Sequence, residues 1–224
     1  MCLIVLAWHA RPDFPLVVAA NRDEFHARPA ERAGFWRDHP QILGGRDLEA
    51  HGSWMGVSRS GRFAAVTNCR GGRDANAAES RGALVAGFLA NDFSSEAFVE
   101  KTEKSKNNYS GFNLLVADRK DLWWLSNRNG DGRKLEPGFY ALGNLLLDTP
   151  EVLDVKSRFQ GTGLALESLF GLLATAKIVA PEYGTRCSTV LLSRADGRTQ
   201  FAERSFHPSG ADGSTMRYEF SSAG

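Results

Sequence analysis

The stretch of sequence that decides the fold is Cys2-Leu3-Ile4-Val5-Leu6-Ala7-Trp8, an apolar run headed by a cysteine. A short run of this kind predicts a largely buried strand. If Met1 is removed, Cys2 carries both a thiol nucleophile and an α-amine whose pKa is ~8, low enough to act as a base near neutral pH. If Met1 is retained, it acylates that amine and removes the base. The sequence thus predicts a nucleophile that depends on maturation.

Size and charge limit the kinds of function to consider. The 224 residues are 42% hydrophobic, enough for one substantial core, and we expect a single domain over residues 1–224. The 27 basic and 26 acidic side chains give a net charge of +1, so no basic field exists to attract nucleic acid. No apolar run approaches the ~18 residues of a membrane span, and no basic segment precedes the first strand. These features favour a soluble, cytoplasmic protein without an integral membrane segment.

Cysteine and histidine spacing argues against a disulfide framework or a metal site. The three cysteines are widely spaced and form no Cys-x-x-Cys pair, and the five histidines include no close pair at ligand spacing. We therefore expect no metal.

The order of predicted elements indicates the fold class. Hairpins are predicted at residues 2–8 with 16–20, 54–58 with 62–68, 112–117 with 122–126, and 187–193 with 200–205, with a further strand at 139–143. Helices are predicted at residues 79–90, 94–104, 151–159 and 164–176. The polar stretch 21–52 is typical of a functional loop. Because strands pair in hairpins and helices come in blocks, we expect antiparallel sheets covered by helical layers.

A polar cluster, Asn21-Arg22-Asp23-Glu24, ends the second predicted strand, antiparallel to the strand that begins at Cys2. The two ends approach each other if the strands are unequal or skewed. A carboxylate there would hold the Cys2 amine by a charge-assisted hydrogen bond and tune its pKa. A solvated turn explains the spacing equally well.

Several separated motifs occur in an order that resembles the NRDE family, also called the Transport and Golgi Organisation protein 2 family. They are Met1-Cys2, Asn21-Arg22-Asp23-Glu24, Arg28-Pro29, Gly45-Arg46-Asp47, Gly52-Ser53-Trp54-Met55-Gly56, Thr67-Asn68, Gly143-Asn144 and Gly184-Thr185-Arg186-Cys187-Ser188-Thr189-Val190. The resemblance covers nearly the whole chain. That family resembles the N-terminal nucleophile (Ntn) hydrolases, which implies an α+β fold, a four-layer αββα sandwich of antiparallel sheets.

The cysteine branch of those hydrolases, the bile-salt hydrolases and penicillin V acylases, implies roles for five residues. Cys2 is similar to its nucleophile and Asp23 to the carboxylate near the amine. Asn68 and Asn144 fall in segments similar to those of the oxyanion hole, and Arg186 is similar to a distal active-site arginine. Without the resemblance, each residue also has a purely structural interpretation. Cys2 would be a buried strand residue, and the two asparagines would be turn or cap residues. Arg186 would pair with an acidic side chain.

Further positions within these motifs are predicted to bind substrate. They are Asn21, Arg22, Arg46 and Trp54. The sequence departs from the branch at Ala20, which takes the place of an arginine. Because adjacent side chains in a strand point to opposite faces, we expect Arg22 to replace that arginine only from the neighbouring side.

Two hypotheses of different class follow. In the first, a Cys2-centred pocket binds and cleaves an amide or thioester of an apolar acyl group and needs no cofactor. In the second, the protein is a carrier of haem, acyl-CoA or another acyl lipid, as the family's links to haem handling and lipid metabolism imply. Cys2 with Asp23 favours the enzyme, and Ala20 favours the carrier.

Overall fold

The computed structural model describes residues 2–70 and 77–221. In chain order the strands of these residues are β1 Leu3–Arg11, β2 Phe14–Phe25, β3 Ala30–Phe35, β4 Ile42–Asp47, β5 Met55–Ser58, β6 Phe63–Asn68, β7 Phe112–Ala117, β8 Leu122–Ser126, β9 Arg133–Leu135, β10 Gly138–Leu142, β11 Tyr183–Ser193, β12 Arg198–Phe206 and β13 Asp212–Ser221. The α-helices are α1 Gly82–Ala90, α2 Ser95–Ser105, α3 Pro150–Gly161 and α4 Leu166–Ala174. In the described ranges no helix has the length and apolar character needed to cross a bilayer.

The chain divides into two compact units, and in its described residues each has one antiparallel sheet and two α-helices. One unit consists of Met1–Arg28 and Pro137–Ser222, and the other of Pro29–Glu136. The sheet orders are β10-β1-β2-β11-β12-β13 and β3-β4-β5-β6-β7-β8-β9. The predicted α+β class with antiparallel sheets is confirmed, whereas the single domain over residues 1–224 stays a prediction.

The N-terminal hairpin forms the centre of the first unit. Residues of β1 and β2 are buried on both faces, which explains why their sequences are continuous apolar runs rather than alternating ones. Asp13 makes the turn with φ 60, a left-handed conformation that aspartate tolerates. Strand β2 has 12 residues and β1 has 9, and Leu3 pairs with Asn21. The unequal strands therefore bring the polar end of β2 alongside Cys2.

Helices α3 and α4 cover one face of this sheet. The odd-numbered residues Val5 and Val17 point toward them and pack in one cluster with Val190, Phe159 and Leu173. Period-two alternation thus selects which side chains form this core.

In the second unit, α1 and α2 cover one face of the seven-stranded sheet. Ala64, Leu114 and Val116 from the strands share a buried cluster with Phe88 of α1 and Val99 of α2. The cluster is apolar on both sides, as expected of a helix layer packed on a sheet.

The polar stretch 21–52 is not the functional loop that the sequence predicts, because it contains the end of β2 and strands β3 and β4. Sequence analysis did not predict β4 because the strand contains two glycines, and glycine is depleted in strands. A Cβ on Gly44 would lie 2.6 Å from the backbone oxygen of Met55, and one on Gly45 would lie 2.1 Å from the Trp54 ring. The glycines therefore permit close packing within a strand. Strands β9 and β13 also escape sequence prediction.

A cap residue begins α2, as predicted. The Ser94 hydroxyl accepts a hydrogen bond from the Ala97 amide at 3.1 Å. Replacing Ser94 with alanine leaves that amide without its cap, and we expect a loss of about 1 kcal/mol in the free energy of unfolding, measured by urea denaturation. Ser94→Asn, which retains an oxygen acceptor, should keep most of the stability. Equal losses in both variants would contradict a capping role.

Candidate active site

The sulfur of Cys2 lies against the backbone of Asp23. The Cys2 thiol donates to the Asp23 carbonyl oxygen at 3.3 Å, and the Asp23 amide donates to the sulfur at 3.4 Å. Continuing the Leu3–Asn21 register by one residue places Cys2 across from Arg22. Cys2 as a residue is half-buried, and these two bonds hold its sulfur in place.

Strand β11 holds Asp23 from the other side. The Thr185 hydroxyl donates to Asp23 Oδ1 at 2.6 Å and accepts from the Ile178 amide at 2.8 Å. The Tyr183 hydroxyl donates to the Asp23 carbonyl oxygen at 3.2 Å. Asp23 is buried, so these bonds fix its position. Sequence analysis missed Tyr183 as a site residue, although it stands next to the Gly184–Val190 motif.

The surroundings of Cys2 favour the neutral thiol. Burial of the sulfur, followed by the Asp23 carboxylate, raises the pKa of Cys2 to about 11. The amide hydrogen bond from Asp23 and the charge of Arg22 act in the opposite direction. A thiol of this pKa is almost entirely protonated at neutral pH, so attack on a carbonyl requires a base that removes its proton.

Arg22 lies on the same face of β2 as Ala20, because the two are two positions apart and side chains alternate between the faces of a strand. Arg22 pairs with Cys187 of β11 and Ala20 pairs with Thr189. The expectation that Arg22 acts only from the neighbouring side of the strand is therefore wrong. Arg22 is buried, and its guanidinium lies 3.9 Å from the Glu24 carboxylate.

Asn144 lies in the bend that follows β10. Strand β10 pairs with β1 through Ile4 and Leu142, and Leu142 also bridges Leu147, so the chain turns back over residues 143–146. Asn144 is half-buried. Its place beside the nucleophile and its role as an oxyanion donor stay predictions.

Arg186 occupies an irregularity in β11. The register with β2 shifts between Thr185 and Cys187, which leaves Arg186 as the extra residue of a bulge. Its guanidinium donates to the carbonyl oxygens of Phe25 and Arg28 at 2.8 Å and 3.1 Å. Arg186 thus ties β11 to the segment that follows β2.

Asn21 is the predicted substrate-binding residue with the most complete set of internal contacts. It is buried, its amide nitrogen donates to the Leu173 carbonyl of α4 at 2.9 Å, and its amide oxygen accepts from the Ser188 hydroxyl at 2.6 Å. These bonds connect β2 to α4 and β11. They account for a polar residue at this point without a ligand.

The remaining predicted residues, Asn68, Arg46 and Trp54, belong to the second unit. Asn68 is exposed at the end of β6. Arg46 forms a two-bond ion pair with Asp38, lowers the pKa of that carboxyl to about 2, and stacks over the Trp36 ring at 4.5 Å. The ring of Trp54 lies on Gly45. Their roles in the site stay predictions.

Metal-ligating side chains do not gather anywhere in residues 2–70 and 77–221, since no group of three or more His, Cys, Asp or Glu side chains is placed to hold an ion.

Comparison with known proteins identifies the family. The family model described as Transport and Golgi organisation 2 matches residues 1–163. The Transport and Golgi organization protein 2 homologs of Bos taurus and Homo sapiens are 33% and 32% identical, with 92% of this chain and 93% of each relative covered. The chain belongs to the Transport and Golgi organisation 2 family. This finding confirms the family resemblance carried by the sequence motifs.

Solved structures show the fold of this Transport and Golgi organisation 2 family member. The chain is similar to a Caenorhabditis elegans N-acylethanolamine-hydrolyzing acid amidase ortholog, with a TM-score of 0.53 and 11% identity, covering 85% of this chain and 92% of that chain. It is also similar to a variant of conjugated bile acid hydrolase from Clostridium perfringens, with a TM-score of 0.55 and 10% identity, covering 98% and 97%. These similarities confirm the predicted Ntn-hydrolase fold.

Proposed function

We propose that this protein is an acyl hydrolase in which Cys2 attacks the carbonyl of an amide or thioester of an apolar acyl group. The observation that carries the proposal is the position of the Cys2 sulfur, hydrogen-bonded to both backbone groups of Asp23. The carboxylate of the same aspartate is buried and oriented by Thr185. A sulfur held beside a fixed carboxylate fits a nucleophile whose own α-amine serves as the base.

The chemistry balances with groups of this chain and one water. Once Met1 is removed, the α-amine takes the Cys2 thiol proton, and the sulfur forms a bond to the acyl carbon. The amine or thiol leaving group departs with that proton, which leaves a thioester on Cys2. Water then attacks with the amine again as base, releasing a carboxylic acid and restoring the thiol. Asn144 is the proposed hydrogen-bond donor to the oxyanion, worth ~3 kcal/mol of barrier.

One exposed aromatic side chain, that of Phe25, supports the proposal that the acyl group of the substrate is apolar. Phe25 is 58% exposed although it ends a strand that is otherwise mainly buried. Its ring contacts that of Tyr183 edge to face, with centroids 5.3 Å apart, and the Tyr183 hydroxyl reaches Asp23. The exposed Phe25 ring, two positions along β2 from Asp23, gives an acyl chain an apolar surface to contact.

The test compares wild type with Cys2→Ala on a set of acyl-CoA thioesters and N-acyl amides. Intact-mass analysis first establishes whether Met1 is absent. We expect the wild type to release free acid and to accumulate an acyl adduct on Cys2. Cys2→Ala should show neither, a loss of at least ~1000-fold. Retention of Met1 in active protein, or equal release by both proteins, would refute the mechanism.

A second candidate function, a carrier of haem or of acyl-CoA or another acyl lipid, is favoured by two observations. The pKa of Cys2 is raised to about 11, and Ala20 supplies no positive charge. Titration with haem and with acyl-CoA discriminates the two functions. Tight binding that is equal in wild type and Cys2→Ala, without acid release, would favour the carrier.

A further inference from the structure

One hydrogen-bond acceptor is shared by two donors at the centre of the candidate active site. The Asp23 carbonyl oxygen accepts from the Cys2 thiol at 3.3 Å and from the Tyr183 hydroxyl at 3.2 Å. A carbonyl oxygen has two lone pairs and can accept both bonds. The Cys2 thiol and the Tyr183 hydroxyl therefore donate to the same oxygen. Tyr183 can influence the thiol through this shared acceptor without contacting the sulfur.

The tyrosine ring is held in place for this bond. Tyr183 begins β11 and pairs with Phe25 of β2, and the two rings meet edge to face at an interplanar angle of 76°. Two residues along β11, Thr185 binds the carboxylate of Asp23. Strand β11 thus holds both the carbonyl and the carboxylate of Asp23.

We propose that Tyr183 is a positioning residue for the nucleophile: its hydroxyl, by donating to the carbonyl oxygen of Asp23, adjusts how readily Cys2 loses its proton. This inference deepens the proposed function, on which its role in turnover rests. It assigns a role that the sequence motifs did not indicate.

The direction of the effect follows from the shared acceptor. In the protonated state, the Tyr183 hydroxyl competes with the thiol for the Asp23 oxygen and weakens the bond that stabilises the neutral thiol. In the thiolate state, the same hydroxyl withdraws charge from an oxygen that would otherwise repel the sulfur. Both effects favour the thiolate. Removal of the hydroxyl should therefore make Cys2 harder to deprotonate.

The Tyr183 hydroxyl keeps its proton, and so can donate a hydrogen bond, over the pH range in which the alkylation of Cys2 is measured. Burial, followed by the charges of Cys2 and Asp23, raises the pKa of Tyr183. The other charged groups that act on the thiol are the N-terminal amine and Asp23 and Arg22 of β2. Each of these is unchanged in a Tyr183→Phe variant.

The experiment measures iodoacetamide alkylation of the Cys2 peptide from pH 7 to 10 by mass spectrometry. We expect Tyr183→Phe to slow alkylation about fivefold at each pH, the effect of one hydrogen bond. Tyr218→Phe on β13 removes a tyrosine hydroxyl from another strand of the same sheet and should stay within about twofold of wild type. Alkylation of the buried Cys69 in every variant serves as an internal measure of unfolding.

The possible results separate this inference from the proposed function. Slower alkylation of Cys2 in Tyr183→Phe, with the alkylation of Cys69 unchanged, supports the inference even if wild type hydrolyses no substrate. Where wild type does hydrolyse, kcat of Tyr183→Phe should fall by a similar factor with KM unchanged. Overlapping pH profiles for Tyr183→Phe and wild type, or equal shifts in Tyr183→Phe and Tyr218→Phe, would overturn it.

Discussion

Asp23→Asn is expected to make the Cys2 thiol more reactive toward iodoacetamide while it abolishes hydrolysis. The carboxylate is the second largest cause, after burial, of the raised pKa of Cys2. Its removal should lower that pKa by on the order of one unit, because a nearby negative charge disfavours the thiolate. Alkylation at pH 8 should then be about tenfold faster.

Hydrolysis by the same variant should fall at least ~100-fold, because the carboxylate proposed to orient the α-amine is lost and base catalysis is lost with it. Asparagine is nearly isosteric, and its amide oxygen can still accept from the Thr185 hydroxyl. Thr185→Val is the matched control, because it keeps the charge of Asp23 and removes only the hydroxyl that donates to Asp23 at 2.6 Å and accepts from the Ile178 amide at 2.8 Å. A decrease of both reactivity and turnover in Asp23→Asn would show that aspartate activates the thiol directly, contrary to the proposed mechanism.

Asn21→Ala is expected to lower the free energy of unfolding by about 2–4 kcal/mol. Asn21 is 2% exposed and bonds to the Leu173 carbonyl and the Ser188 hydroxyl. Alanine would leave both partners buried without their bonds, and each unsatisfied group costs ~1–3 kcal/mol. Urea denaturation measures the loss, and an unchanged slope of the transition would show that folding remains two-state.

A double-mutant cycle with Ser188→Ala isolates the Asn21–Ser188 bond. The double variant should be more stable than the sum of the single losses predicts, by about 1 kcal/mol, because the second substitution removes a group already left without its partner. A substrate-binding role for Asn21 makes a different prediction. In that case Asn21→Ala would change KM and leave the free energy of unfolding within ~0.5 kcal/mol of wild type.

Local sequence predicts the hairpins well where strands are apolar and turns are marked. The predicted pair 112–117 and 122–126 coincides with β7 and β8. Prediction fails for β3, β4, β9 and β13, whose residues are polar, glycine-containing or short. Such strands form because a neighbouring strand supplies hydrogen bonds and a packing surface, which a local window does not reveal.

Some features of the candidate site also follow from local sequence. Cys2 and Asp23 lie on adjacent strands of one hairpin, so their proximity follows from short-range pairing. The face that Arg22 shares with Ala20 follows from alternation along β2, although sequence analysis assigned it wrongly.

The sequence by itself determined the antiparallel α+β class, the family and the thiol at the head of the first strand, because apolar runs, turn residues and motifs are local properties. Only the tertiary structure decided what surrounds Asp23. Its partners Tyr183 and Thr185 lie 160 and 162 residues further along the chain. The pairing of β2 with β11 brings them together, and the bulge at Arg186 changes the register beyond them. Such long-range pairing depends on the folded sheet as a whole, so no local pattern encodes it.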